Sequence, residues 1–269
     1  MGLYIRVEPD VKMFVEDLNP TGEKTILFIH GWPGNHNLFE YQFNKLPKLG
    51  FRCVGIDYRG FGESDKPWHG YNYDRLSDDL RVVVDTMKLS RFTLLGHSTG
   101  GGIAIRYMAR HGGYGVSKLV LAASAAPSLI QRPNFPYGLP KQDVLNMIDT
   151  TYTDRPQMLR DFGKTIFHKP VTQALSDWIF QLGLQASGWA TVAIEKAWLE
   201  EQLFDDLSTV RVPTLVLQGV YDQVVKPQLS VWQHEHIENS VLVPFKESGH
   251  FLFIDEKEKF TKELAKFAQ

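Results

Sequence analysis

Strand-like and helix-like segments alternate along this 269-residue chain, which predicts an α/β protein built on a mostly parallel, twisted sheet with helices on both faces. Two further observations support that class. The apolar runs at residues 25–29, 51–56, 92–95, 118–123 and 212–218 are continuous rather than alternating, as strands covered on both faces require. Most of them also run into loops rich in glycine or proline, which is where open α/β sheets place function.

Taken in order, residues 4–8 and 11–16 alternate apolar and polar side chains about Pro9-Asp10, a hairpin pattern with one buried face. The strand at 25–29 leads into His30-Gly31-Trp32-Pro33-Gly34, and the strand at 51–56 into Asp57-Tyr58-Arg59-Gly60-Phe61-Gly62. Asp57 and Arg59 read as a pair that stabilises that loop. Leu76, Leu80, Val83, Val84 and Met87 recur at helical spacing. The next strand and the helix after it enclose Gly96-His97-Ser98-Thr99-Gly100.

The alternation stops after Pro127. Residues 128–204 contain no strand-like run, only Pro133, Pro136 and Pro140 and then helical patterns rich in Phe162, Trp178, Trp189, Trp198 and similar side chains. This predicts a helical cap inserted over the active edge of the sheet. The chain thus divides into a core of residues 1–127 and 205–269 and a cap of residues 128–204. The alternation resumes at 212–218, followed by Gly219-Val220-Tyr221-Asp222, a helix near 229–237, a short strand at 240–243 and a final amphipathic helix.

Bulk properties exclude several classes. A net charge of −2 gives no reason to expect nucleic acid or an anionic membrane as partner. No apolar run approaches membrane-spanning length, and the first residues lack a signal-peptide core, so a soluble cytoplasmic protein is expected. Whether it forms a homo-oligomer is open. The single cysteine, Cys53, lies in an apolar strand and reads as an inert buried thiol.

G-x-S-x-G arises by chance in roughly one chain in ten of this length. Its strand-before, helix-after setting makes it a nucleophile elbow, with the Ser98 hydroxyl raised on a sharp turn at a helix N-terminus. Serine needs a base, and histidine titrates near neutral pH. Of the nine histidines, His250 alone follows a strand end in the C-terminal segment, on a glycine-preceded loop. His30 and His97 belong to their own turns; His36, His69 and His111 read as polar loop or helix-end residues. A carboxylate must orient the base, and Asp222 stands just after a strand on the same sheet edge. Thr99 N–H and Trp32 N–H are the candidate oxyanion donors, since Pro33 has no N–H to give.

These motifs, in this order and spacing, resemble the α/β-hydrolases over essentially the whole chain. The order Ser98, Asp222, His250 is that family's triad order. The elbow Gly96-His97-Ser98-Thr99-Gly100-Gly101-Gly102 and the proline after Trp32 are similar to the bacterial serine esterases and cofactor-free haloperoxidases, or perhydrolases. In that subgroup such a proline is associated with peracid formation. Dehalogenases and epoxide hydrolases share the Asp57–Gly62 loop but carry aspartate where this chain has Ser98. The resemblance implies a carboxylesterase acting on small aliphatic or aryl esters through an acyl-enzyme on Ser98, with no metal or organic cofactor. Trp32, Phe162 and Trp189 are the expected substrate contacts. A lactonase, an amidase or a carbon–carbon bond hydrolase with the same triad, or a ligand receptor on this fold, are the alternatives.

Overall fold

The computed structural model describes residues 2–269. Its eight strands are β1 (Gly2–Glu8), β2 (Val11–Leu18), β3 (Lys24–Ile29), β4 (Phe51–Asp57), β5 (Phe92–His97), β6 (Val116–Ala122), β7 (Thr214–Gly219) and β8 (Ser240–Phe245). They form one sheet in the order β1-β2-β4-β3-β5-β6-β7-β8. The expected hairpin is the antiparallel pair β1–β2, β2 also runs antiparallel to β4, and every other neighbouring pair is parallel. β3, β5 and β7 are buried along nearly their whole length, as their unbroken apolar runs require.

Helices cover both faces. The short α1 (Glu40–Phe43) is followed by α2 (Tyr73–Thr86) and α3 (Thr99–Arg110), whose Leu76, Leu80, Val83, Ile103 and Ile105 pack one face. At the C-terminus α8 (Pro227–His236), α9 (Leu252–Asp255) and α10 (Lys257–Ala268) complete the set, with Phe253, Phe260 and Leu264 on the opposite face beside Phe28 and Phe39. β3 lies between β4 and β5, so the chain leaves β3 in one direction and returns on its other side. Such a reversal opens a crevice at the carboxyl ends of the strands, where α/β sheets bind ligands. The loops after β3 and β5 border that crevice.

Between β6 and β7 the chain leaves the sheet. α4 (Lys141–Gly163), α5 (Gln173–Leu184) and α6 (Gly188–Glu200) lie in this excursion, and α7 (Phe204–Leu207) leads back. α4 bends at Asp154, whose φ of −153° and ψ of 73° lie outside the helical region, with Pro156 two residues on. α4 packs along α6. At their junction Thr151 Oγ1 lies 2.9 Å from both Met147 O and Glu195 Oε1. A hydroxyl carries one proton, so both bonds form only if Glu195 supplies the second. Burial agrees, pushing the Glu195 carboxyl up to about 8.

Elsewhere, Cys53 is fully buried and burial raises its thiol to about 12, which keeps it protonated and inert. The expected Asp57–Arg59 pair does not form. Burial favours the neutral Asp57, but hydrogen bonds from the His36 ring and backbone outweigh it and hold the carboxylate below its usual range. His36 is therefore buried, not a polar loop residue. Arg59 turns the other way, to Asp79 and Glu8. Each anchors the loop separately.

Two outcomes follow from the fold. A Cβ on Gly100 would lie 2.4 Å from Ile29 O and 2.5 Å from His30 O, both immovable backbone atoms. Gly100→Ala should cost on the order of 3 kcal/mol in urea unfolding, or abolish soluble protein; an unchanged midpoint would refute the close packing. Glu195, with its folded value raised, contributes stability that is present in acid and lost as pH climbs through about 8. Glu195→Gln keeps a donor for Thr151 at every pH. Its melting temperature should gain on the wild type by roughly 5 °C between pH 5 and 9, whereas parallel profiles would contradict a protonated Glu195.

Candidate active site

Ser98 sits between β5 and α3 with φ 53° and ψ −121°, a conformation that side-chain-bearing residues rarely hold. The turn is that sharp because strand and helix nearly touch. A Cβ on Gly96 would fall 2.3 Å from Gly100 O, so neither position accepts a side chain. The result is a serine at a helix N-terminus, 6 % exposed at the crevice floor.

Asp222 and His250 come together from the loops after β7 and β8. His250 Nδ1 donates to Asp222 Oδ2 at 2.8 Å, and both side chains are buried. Asp222 Oδ1 accepts Val224 N–H and Val225 N–H at 2.8 and 2.9 Å, and Gln218 Nε2 donates to Oδ2. Four donors fix this carboxylate. Among the described residues, His250 Nε2 is buried without a hydrogen-bond partner, which leaves it the free basic nitrogen of the ring.

The His250 loop is braced on every side. His97 Nε2 donates to His250 O at 3.2 Å, with the two rings 4.7 Å apart. Burial, and next the neighbouring His250, hold His97 well below the usual histidine range, so it stays neutral beneath the site. Glu256 Oε2 accepts Glu247 N–H and Ser248 Oγ–H, and Asp255 Oδ2 accepts Gly249 N–H and His168 N–H. Phe251 N–H donates to Ile166 O. These last two contacts tie the cap to the base's own loop.

The loop after β3 faces the elbow: a Cβ on Gly31 would meet Ser98 Cβ at 2.9 Å. The Trp32–Pro33 bond is cis. Among the described residues, neither Trp32 N–H nor Thr99 N–H has an acceptor. Buried N–H groups are rarely left so. Two free donors on adjoining turns suit a developing oxyanion.

The cap supplies the walls. A narrow apolar pocket lies between the ends of α4 and α5 and the core, lined by Pro33, Leu159, Phe162, Ile179, Gly183 and Phe251 among others. Two of its lining residues, Pro33 and Phe251, are the chain neighbours of Trp32 and His250. Phe162 also packs its edge on the Trp32 ring, 5.0 Å between centroids. Trp189 does not line it. Its indole donates to Pro67 O and lies beside Trp68 on the outer surface, 40 % exposed, because position 189 falls on the outward face of α6. The opposite face of α6 points inward, where Trp198 Nε1 donates to Thr99 Oγ1 and Trp32 Nε1 donates to Thr191 O. Sequence reading grouped Trp198 with the large apolar side chains of the cap and left open which of them face down, since helical spacing alone does not tell.

Residues 24–257 match the family profile described as alpha/beta hydrolase fold. The chain belongs to the α/β-hydrolase family. An AB hydrolase superfamily protein of Bacillus subtilis is 46 % identical to this α/β-hydrolase over 100 % of the chain and 99 % of its own length. A bifunctional esterase/perhydrolase of Acinetobacter calcoaceticus is 29 % identical, covering 98 % of each. Among solved structures, an esterase from Exiguobacterium antarcticum superposes with a TM-score of 0.97 at 42 % identity, over 100 % of this chain and 99 % of that one. No helix among the described residues is long and apolar enough to cross a membrane.

The geometry makes one outcome specific to Asp222. Asp222→Asn keeps the shape but puts an amide donor among the Val224 and Val225 N–H groups, or against His250 Nδ1. Ester turnover should fall on the order of 10⁴-fold, as when a triad carboxylate elsewhere is neutralised. A loss under tenfold would remove Asp222 from the orienting role.

Proposed function

We propose that the protein is a serine carboxylesterase for small aliphatic or aryl esters. The observation that carries this reading is the buried Asp222–His250 pair with a free Nε2, in a crevice shared with a strained Ser98 and two acceptor-less N–H groups.

Ser98 Oγ attacks the ester carbonyl as His250 Nε2 takes its proton. Asp222 stabilises the imidazolium, and the Trp32 and Thr99 N–H groups hold the tetrahedral oxyanion, each such donor worth on the order of 3 kcal/mol of barrier. The intermediate collapses, His250 protonates the departing alcohol, and an acyl-Ser98 ester remains. Water, deprotonated by His250, repeats the sequence to release the acid and restore the serine. Hydrogen peroxide in place of that water releases a peracid. The Trp32–Pro33 sequence and the similarity to an esterase/perhydrolase support that side activity. The relatives named esterases support the main one. The organic halves of the ester occupy an apolar enclosure, which fits the cavity beneath α5.

Steady-state hydrolysis of p-nitrophenyl esters from acetate to decanoate tests the reading. Ser98→Ala should lower kcat on the order of 10⁶-fold. No turnover above the Ser98→Ala background on any ester would overturn it. The cavity adds a second expectation. A Cβ on Gly183 would meet Leu159 at 3.3 Å and Pro33 at 3.5 Å, so Gly183→Val narrows the space. Its kcat/KM on hexanoate should fall roughly tenfold relative to acetate; an unchanged chain-length profile would place the acyl group elsewhere.

A further inference from the structure

We infer that α6 of the cap sets the oxyanion hole, with Trp198 as its positioning residue. This rests on the esterase reading above.

Three features of α6 support it. First, the helix is tied to the core at both ends. Ser187 N–H donates to Gly60 O at 3.0 Å, while the Ser187 hydroxyl accepts Ala190 N–H as the helix cap. At the other end Glu201 accepts Tyr73 N–H at 2.8 Å and Arg106 at 3.3 Å, and its carbonyl accepts Arg132. Second, Thr191, Glu195 and Trp198, spaced by four and three, share the inward face. All are buried, at 0 %, 0 % and 5 % exposure.

Third, that face holds each proposed oxyanion donor by one indole hydrogen bond. Trp32 Nε1 donates to Thr191 O at 3.2 Å, and Trp198 Nε1 donates to Thr99 Oγ1 at 3.1 Å. The two indoles also meet edge to face, 4.9 Å apart. Trp32 lies in the loop after β3 and Thr99 opens α3; backbone contact through Gly31 and Gly100 brings these segments together, and the two indole hydrogen bonds fix how Trp32 and Thr99 sit within that contact. α6 spans both. A segment that reads as a lid is thereby part of the catalytic frame, and Trp198 acts on the reaction without touching substrate.

The test is a double-mutant cycle on kcat, KM and affinity for butylboronic acid, which forms a tetrahedral adduct on serine with an oxygen in the oxyanion hole. Trp198→Phe keeps the ring against Trp32 and removes the N–H; Thr99→Val removes the acceptor and keeps the backbone donor. Each should lower kcat roughly tenfold with KM within about threefold, and weaken the boronate by a matching factor. The double variant should be no slower than the slower single one, and Thr99→Ser, which keeps the oxygen, should recover most of the loss seen in Thr99→Val. Additive losses, or full boronate affinity in a folded Trp198→Phe protein, would overturn the proposal. Should Trp198→Phe fail to fold, Thr99→Val against Thr99→Ser decides it alone: equal activity in the two overturns it. A Ser98→Ala protein that still turns over ester would sink the esterase reading instead, and is separately visible.

Discussion

Everything in the site depends on how closely α3 approaches β3 and β5. Gly96 and Gly100 let backbone meet backbone there, and the cost is taken at Ser98, which holds a positive φ so that strand and helix can join in one residue. The same approach brings the β3 loop against the elbow, so that the Ser98 hydroxyl, the free Trp32 and Thr99 N–H groups and the helix N-terminus share a small volume. None of these groups could be placed so by a side chain alone. The strain persists because the surrounding sheet, buried on both faces, over-determines it.

His250, the proposed base, is positioned by a different logic. His250 lies on a loop with little structure of its own, and hydrogen bonds hold it: Asp222 on its ring, His97 on its carbonyl, Asp255 and Glu256 on the residues before it. Asp255 binds a cap residue with the same oxygen. The excursion is thus joined to the core at the His250 loop through the 166–168 segment and at Trp32 and Thr99 through α6. Its two other helical segments are left to shape the cavity. A single excursion of chain thus contacts the Trp32 loop, Thr99 and the His250 loop and also walls the apolar pocket.

The parallel sheet was legible because most of its strands are unbroken apolar runs, and the elbow because few turns demand glycine on both sides of a serine. Position singled out Asp222 and His250, each a polar residue that follows a strand on the same edge, and the fold puts the two side chains in hydrogen-bond contact. What lay beyond the sequence concerned direction. Trp189 and Trp198 sit on one helix in similar company, and only packing reveals that the first faces Trp68 outside and the second Thr99 inside. His36 read as a polar loop residue and Arg59 as the partner of Asp57, yet both are buried and the partners are exchanged: His36 bonds Asp57, and Arg59 bonds Asp79, twenty residues on. Contacts between distant segments leave little trace in local pattern.

The central claim is a covalent acyl group on Ser98, and it can be weighed directly. A rapid acid quench of the enzyme with p-nitrophenyl butyrate, followed by digestion and mass spectrometry, reads the modified peptide. The account expects a butyryl adduct on the peptide spanning Ser98, formed with the burst of nitrophenol and absent in Ser98→Ala. Turnover with no adduct, or with the acyl group on another residue, would contradict it.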